Sequence, residues 1–439
     1  MHALSIIIHT LISLVAIYVE LYRNKCENRK VSTLFFVNLF FGLYFGIAPV
    51  LYFFSYPYYS RFIFWDHVHV KITNFNEDNT LYTAITVLLA YSVILLVYFY
   101  KNKFTSSKYR YEDLSLSSLI LFSFFISIVG SLSLILYIRG LGGILEAIIS
   151  AEIYRSHDVE PTSFTLYRYF YPWVQLGCVL FLGIGIYAKN KIYLALVIPM
   201  FIMTLLYLLI NAGRSNVFIF FGIFFLIYAN HKSIFSLKIL IPIFAAGIIL
   251  AIMGDDLFRF FVTGELYFTN DIQKLVLTLS QQISFVYVNV LKVHSFSLGK
   301  DLLYYFNDLY VSLINLLPGS LESLFNLAVE NTTKIHTSNF NAPSGTGIIV
   351  DLVTYGYYQL ALPGVVIISA SIGTFSRFLD WFFRRPGIIC NIMVCWSGLF
   401  IMGIMNSLDM TSIILARSYF WLPLIFIILF SKRKTLVPN

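Results

Sequence analysis

Long apolar runs separated by short polar stretches set the pattern of this chain. Runs at 3–22, 31–54, 81–100, 115–138, 166–188, 192–210, 216–230, 239–254, 361–377, 388–405 and 412–430 are each long enough, or nearly so, to cross a bilayer. About 20 apolar residues make one helical span. A helix satisfies its own backbone hydrogen bonds, which lipid cannot do, so each run predicts a transmembrane helix, about 11 in all. The predicted fold is all-α and polytopic.

Three longer polar stretches interrupt the runs. Residues 55–80 are rich in Tyr and carry Trp65, Asp66 and His67. In 139–165, Gly142-Gly143 opens a short amphipathic helix expected to end near Arg155. Residues 255–360 are too polar to span and too patterned to be disordered. Within them 270–294 and 301–317 repeat Leu, Ile, Val and Phe at three-to-four spacing and predict amphipathic helices. Pro318-Gly319 stops the second, and 332–346 reads as turn-rich. The chain therefore divides into 1–254 (helices one to eight with loops 55–80 and 139–165), a large loop 255–360, and 361–439 (three last helices and a basic tail).

Composition supports this. The 439 residues are 59% hydrophobic and 12% charged, with mean hydropathy +0.79, whereas soluble domains carry about 25% charge. Aromatics reach 18%, which suits a large interfacial surface. The net charge of +8 hides a sidedness. Alternate segments hold Arg23, Lys25, Arg29 and Lys30; Lys101, Lys103, Lys108 and Arg110; Lys189, Lys191, Lys232 and Lys238; Arg377, Arg384 and Arg385; and Lys432, Arg433 and Lys434. These are 18 of the 30 basic residues, against five of the 22 acids. The positive-inside rule then puts the C-terminus in the cytoplasm, the N-terminus outside, and the loop 255–360 on the outer face, periplasmic in a bacterial inner membrane. Basicity spread in this way argues against a nucleic-acid partner. The start of the chain lacks a basic region and a small-residue cleavage site, and reads as a retained first helix. Of four cysteines, Cys26 lies in a basic loop and Cys178, Cys390 and Cys395 lie in apolar runs, so neither a disulfide framework nor a zinc spacing is present.

Candidate chemistry begins with Arg214, in the short outer turn Asn211-Ala-Gly-Arg-Ser-Asn216. A charge at membrane depth costs about 2.5–3.5 kcal/mol on insertion scales. A guanidinium retained there can hold phosphate oxygens in a bidentate fork; the alternative is an arginine that snorkels to lipid headgroups. Arg417, after Asp409 and Ser412, either pairs with Asp409 or joins the same site. Arg139, Arg155 and Arg168 flank the second outer segment and either anchor it at the interface or complete a cationic vestibule for a diphosphate leaving group. His336 and Asp351 could accept a proton from an attacking hydroxyl; the plainer readings are a loop histidine and a helix-interface carboxylate. The glycines at 345, 347, 356 and 364 fit turns or helix packing better than catalysis. There is no Walker A sequence, no Asp-x-Asp or His/Cys cluster in the outer segments, and no G-x-S-x-G elbow, so neither ATP-driven pumping nor a metal nor another cofactor is expected. His9 reads as a packed polar residue rather than a proton relay.

The arrangement resembles the O-antigen polymerase family, the oligosaccharide repeat-unit polymerases. The resemblance lies in many helices, Gly-Arg-Ser at the outer end of a helix pair, and a long outer loop. That loop ends in a turn-rich stretch followed by Asp351-Leu-Val-Thr-Tyr-Gly-Tyr-Tyr-Gln-Leu-Ala-Leu-Pro-Gly364. The family's second glycine is replaced, since Gln359-Leu360-Ala361 follows Gly356. The resemblance implies a helical, lipid-dependent glycosyltransferase of GT-C-like architecture, acting at the outer face of the bacterial inner membrane. It would move a growing glycan from undecaprenyl diphosphate to the terminal sugar of an incoming unit, without metal or nucleotide sugar. It implies diphosphate binding by Arg214, with Arg155 as a less secure match, and makes His336 a candidate base. A separate chain-length regulator is a conceivable partner. The competing readings are a flippase or exporter of lipid-linked glycan and an O-antigen ligase; a membrane O-acyltransferase would want a histidine deep in a helix, where only His9 lies.

Overall fold

In a computed structural model the described residues are 2–27, 31–59, 77–100, 109–111, 116–149, 167–211, 220–223, 272–295, 303–314, 332–339, 348–383, 388–408, 413, 417–430 and 433–435. They form α1 (His2–Glu27), α2 (Thr33–Phe40), α3 (Ala48–Tyr59), α4 (Glu77–Phe99), α5 (Leu116–Gly140), α6 (Ile144–Ile149), α7 (Trp173–Tyr187) and α8 (Lys191–Asn211). After these come α9 (Ile272–Ser295), α10 (Asn307–Ile314), α11 (Thr332–Asn339), α12 (Leu352–Phe382), α13 (Ile388–Asn406) and α14 (Ser418–Phe430). A π-helical stretch, Phe41–Ile47, joins α2 to α3, and two three-residue strands, β1 (Tyr109–Tyr111) and β2 (Arg433–Thr435), pair antiparallel.

This is an all-α polytopic membrane protein with one small ribbon added. Among the described residues seven helices are long and apolar enough to cross a bilayer, and Ile283–His294, Cys390–Asn406 and Ser418–Ile427 form shorter apolar helices. Leu121, Leu96, Ile192 and Leu429 are each about 70% exposed, as lipid-facing side chains would be. The expected run 239–254 lies outside the described residues, as does all of 216–230 except 220–223. Two expectations shift. The helix predicted at 361–377 starts at Leu352, because Asp351 caps an additional N-terminal segment. Residues 332–339, read as part of a turn-rich stretch, form α11; tertiary bonds to its threonines override weak local propensity.

Polar glue joins the apolar helices. On α1, the ring of His9 donates from Nδ1 to the Phe45 carbonyl (2.6 Å) and Ser13 donates to the Gly42 carbonyl (3.1 Å). Both acceptors belong to the π-helical stretch, whose wider turns displace carbonyls from the usual ladder. Gly46 lets α1 approach, since a Cβ there would collide with Ser13 Oγ. His9 is thus a packed polar residue with an identified acceptor.

Helix α9 meets the predicted 270–294 helix in extent, and its position is decided by packing. It lies against α3, α4 and α12. Ser280 Oγ is 2.7 Å from Ser55 Oγ, Ser284 donates to the Ala48 carbonyl (3.2 Å), and His294 Nδ1 is 2.7 Å from Thr83 Oγ1. Asn289 donates to the Ile349 carbonyl (2.7 Å), which ties α9 to the start of α12.

The bundle has two ends. At the ribbon end Arg23, 1% exposed, pairs with Glu20. Asn38 donates to Glu20 (3.1 Å), and Tyr91 donates to Asn38 (2.8 Å). Asp380 accepts from the Thr33 amide (2.8 Å) and the Tyr98 hydroxyl (2.6 Å). Arg377 donates to the Tyr100 carbonyl just past α4, where a cation suits the helix dipole. The opposite end carries the start of α12 and is the Asp351 end.

Candidate functional site

Two polar groups gather at the Asp351 end. The first is built around a break in α12. Leu360 (φ −148°, ψ 27°) and Ala361 (φ 54°, ψ −137°) leave helical geometry just before Pro363, which cannot donate an amide hydrogen bond. The segment before the break packs directly on the segment after it. A Cβ on Gly364 would overlap the Gly356 carbonyl, and a Cβ on Gly356 would lie 2.7 Å from Val365 Cα. These two glycines serve close packing, as the sequence suggested.

The carbonyls freed at the break are met by a turn outside the helix. Tyr304 and Tyr305 amides donate to the Tyr358 and Gln359 carbonyls (3.1 Å each), and the Phe306 amide donates to Gln359 Oε1 (2.6 Å). That turn holds Tyr305 at φ 50° and Phe306 at φ 61°, a left-handed backbone that larger side chains rarely adopt. Gln359 Nε2 donates to Thr332 Oγ1 (3.2 Å), Thr332 Oγ1 donates to Asp308 Oδ2 (3.0 Å), and the Tyr355 hydroxyl donates to Asp308 Oδ1 (2.8 Å). Asp308 thus joins α10, α11 and α12 through one buried carboxylate, 3% exposed.

His336 and Asp351 both belong to this end, and both are 0% exposed. His336 is not a surface loop residue: it sits in α11 with Nδ1 2.9 Å from the Tyr358 hydroxyl. Burial lowers its pKa to about 3, so the ring is neutral near pH 7. Asp351 is the N-cap of α12. Its Oδ1 accepts from the Val353 (2.9 Å) and Thr354 (3.1 Å) amides, and its Oδ2 accepts from Thr354 Oγ1 (2.5 Å). Burial raises its pKa to about 7, opposed by those donors. These contacts give Asp351 a structural task, and its interface reading describes the geometry better than that of a free base.

The second group is aromatic and cationic, and is drawn from four distant stretches of chain. Tyr137 of α5 stacks on Tyr171 just before α7 (ring centroids 5.2 Å, 2° between planes), and Tyr171 meets Tyr207 of α8 (4.9 Å). The Tyr171 hydroxyl donates to Asn211 Oδ1, and Asn211 Nδ2 donates to the Tyr207 hydroxyl (3.3 Å each). Arg168 lies in electrostatic reach of both Tyr171 and Tyr207. Arg417 interacts with Tyr419, which itself interacts with both Tyr171 and Tyr207. Trp173 Nε1 donates to the Tyr419 carbonyl (3.2 Å). The structure therefore gathers Arg168 and Arg417 around one tyrosine set. Arg417 also packs on Gly403 of α13, where a Cβ would come within 2.5 Å of its guanidinium.

The two groups are linked: the Leu408 amide, just past α13, donates to the Val350 carbonyl, just before Asp351 (2.7 Å). Arg139 at the end of α5 is exposed. Gly142 (φ 97°) and Gly143 (φ 132°) turn the chain from α5 into α6. Arg214, Arg155 and Asp409 lie outside the described residues. Asn211, which closes α8 three positions before Arg214, is the described residue nearest to it in sequence. Among the described residues no group of three or more His, Cys, Asp or Glu could hold a metal.

Sequence reading missed Asp308, Gln359 and the tyrosines at 171, 207 and 419. Only Tyr419 carried a signal, its place two residues after Arg417. No family model, no curated protein and no solved structure matches this chain.

Proposed function

We propose that this protein is a membrane glycosyltransferase that polymerises undecaprenyl-diphosphate-linked oligosaccharide repeat units into a surface polysaccharide, O-antigen or capsule. The Asp351 end faces the outside of a bacterial inner membrane, and the helical frame is of the GT-C-like, lipid-dependent kind with about 11 spans. The observation that carries this reading is the gathering of Arg168 and Arg417 around Tyr171, Tyr207 and Tyr419, beside the chain end that leads to Arg214.

The chemistry follows from the leaving group. As the acceptor hydroxyl bonds to the anomeric carbon, the bond from that carbon to the diphosphate oxygen breaks and undecaprenyl diphosphate, already a good leaving group, departs, so the enzyme's main task is to stabilise the charge that develops on that diphosphate. Guanidinium groups match phosphate oxygens in number and shape. Arg168, Arg417 and Arg214 bind the diphosphate in this reading, with Arg155 completing the site. Neutral His336, held by Tyr358, takes the proton of the attacking sugar hydroxyl as the glycosidic bond forms.

The test is glycan electrophoresis in a strain that lacks the endogenous gene and is complemented with Arg168→Ala, Arg417→Ala or Arg214→Ala. Each variant should reach the membrane in normal amount yet leave single repeat units on the final acceptor. Full-length chains from any of the three would remove that arginine from the site. A transport reading draws on the broken helix α12, since discontinuous helices are common in transporters. The deletion strain separates the two: single repeats on the acceptor indicate a polymerase, and no glycan at all indicates a flippase or a ligase.

A further inference from the structure

We propose that the ribbon formed by β1 and β2 is a binding surface for anionic phospholipid headgroups in the leaflet at the ribbon end. The two strands are more than 300 residues apart in sequence, and pair Tyr109 with Thr435, Arg110 with Lys434, and Tyr111 with Arg433. The register sets two cations directly opposite each other, with a third at the next pair. Like charges directly opposite weaken a strand pair, and an isolated two-stranded ribbon is marginal in water even without that penalty. A six-residue ribbon that carries this charge is explained by a counter-anion that spans both strands.

Its place in the fold selects the anion. Arg433 follows the end of α14 at Phe430 by three residues, so at about 3.3–3.6 Å per residue it lies within roughly 10 Å of the helix end. That is headgroup depth. Tyr109 and Tyr111 flank Arg110 in β1, and tyrosine favours this layer. Clusters of Lys and Arg next to a membrane helix associate with anionic lipid surfaces. The sequence around the strands adds Lys101, Lys103, Lys108 and Lys432, against Glu112 and Asp113. Lipid phosphate and free phosphate share the required chemistry, and the depth of the ribbon favours lipid.

The test uses the full-length protein in nanodiscs of phosphatidylcholine alone and of phosphatidylcholine with added phosphatidylglycerol. Hydrogen exchange at residues 109–111 and 433–435 reports ribbon formation, and native mass spectrometry counts retained anionic lipid. Phosphatidylglycerol should slow exchange in both strands and leave anionic lipid bound. Arg110→Gln and Lys434→Gln should each weaken lipid retention about fivefold, with exchange in α4 and α12 unchanged. Equal strand protection in the two lipid compositions would overturn the proposal. So would the same protection from inorganic phosphate added to phosphatidylcholine discs, or protection that appears only when another protein from the membrane is supplied.

Discussion

The two ends of the bundle bury charge in different ways. At the ribbon end Arg23 meets Glu20 one turn earlier on the same helix α1, and Asp380 of α12 meets the Thr33 amide of α2 and the Tyr98 hydroxyl of α4. At the Asp351 end Arg168 and Arg417 stand among tyrosine hydroxyls and rings, and Asp308 and Asp351 are surrounded by neutral donors. The Glu20–Arg23 pair, joined to α2 through Asn38, is part of a staple between helices. A guanidinium beside tyrosine hydroxyls offers N–H donors that match phosphate oxygens, which is what a site for a diphosphate requires.

The comparison is broken most severely by removing one partner of the buried pair. Glu20→Ala takes the Glu20 carboxylate from buried Arg23 and should cost about 3–5 kcal/mol, read as a large fall in the thermal midpoint in detergent. A loss under 1 kcal/mol would show that Glu20 is not needed to hold buried Arg23. Next comes the break in α12. Gly364→Ala forces a Cβ onto the Gly356 carbonyl, and overpacking of this kind costs about 1–3 kcal/mol, occasionally more. Gly222→Ala, where a Cβ meets nothing within 4 Å, is the control. It should be neutral or gain up to about 1 kcal/mol from helix propensity.

Asp351→Asn sharpens the comparison through pH. The folded carboxyl holds its proton up to about pH 7, against about 3.8 for an unperturbed aspartate. Folded protein therefore binds more protons than unfolded protein between those values, and the contribution of Asp351 to stability falls as pH rises through that window. The thermal midpoint of the wild type should decline from pH 4 to 7 more than that of the asparagine variant, which keeps a side-chain oxygen for the helix cap. Parallel curves would mean that Asp351 ionises as it does in the unfolded chain. The smallest effect on stability belongs to Arg168 and Arg417. Arg168→Gln and Arg417→Gln should each shift the midpoint little, within about 0.5 kcal/mol, while long glycan disappears. Strong destabilisation by either would place that arginine with the staples.

Much of the frame was legible because it rests on local pattern. Leu116–Gly140 and Lys191–Asn211 follow predicted apolar runs closely, since hydropathy along one segment is enough to specify a span. The amphipathic helix at 272–295 was also legible as a helix. Its partner was not, because Ser280 and Ser284 look like solvent-facing positions until α3 is brought against them. For the same reason α11 was read as turns: Thr332 and Thr337 are held by bonds to Asp308 and to the Ile348 amide (2.8 Å), neither of them local in sequence. Of the candidate site, the arginines stood out because charge is scarce in an apolar chain, whereas the tyrosines around them were hidden among 31.

Taken alone, the sequence determined that this chain is a helical membrane protein and where several of its long apolar helices run. Those properties depend on transfer of each segment between water and lipid, and composition sets that. Only the tertiary structure decided that α12 breaks at Leu360–Ala361, that Asp308 joins three helices, and that Arg168 and Arg417 share one tyrosine set. These depend on which groups meet across hundreds of residues, and hydrogen bonds over about 3 Å leave no periodic trace in the chain.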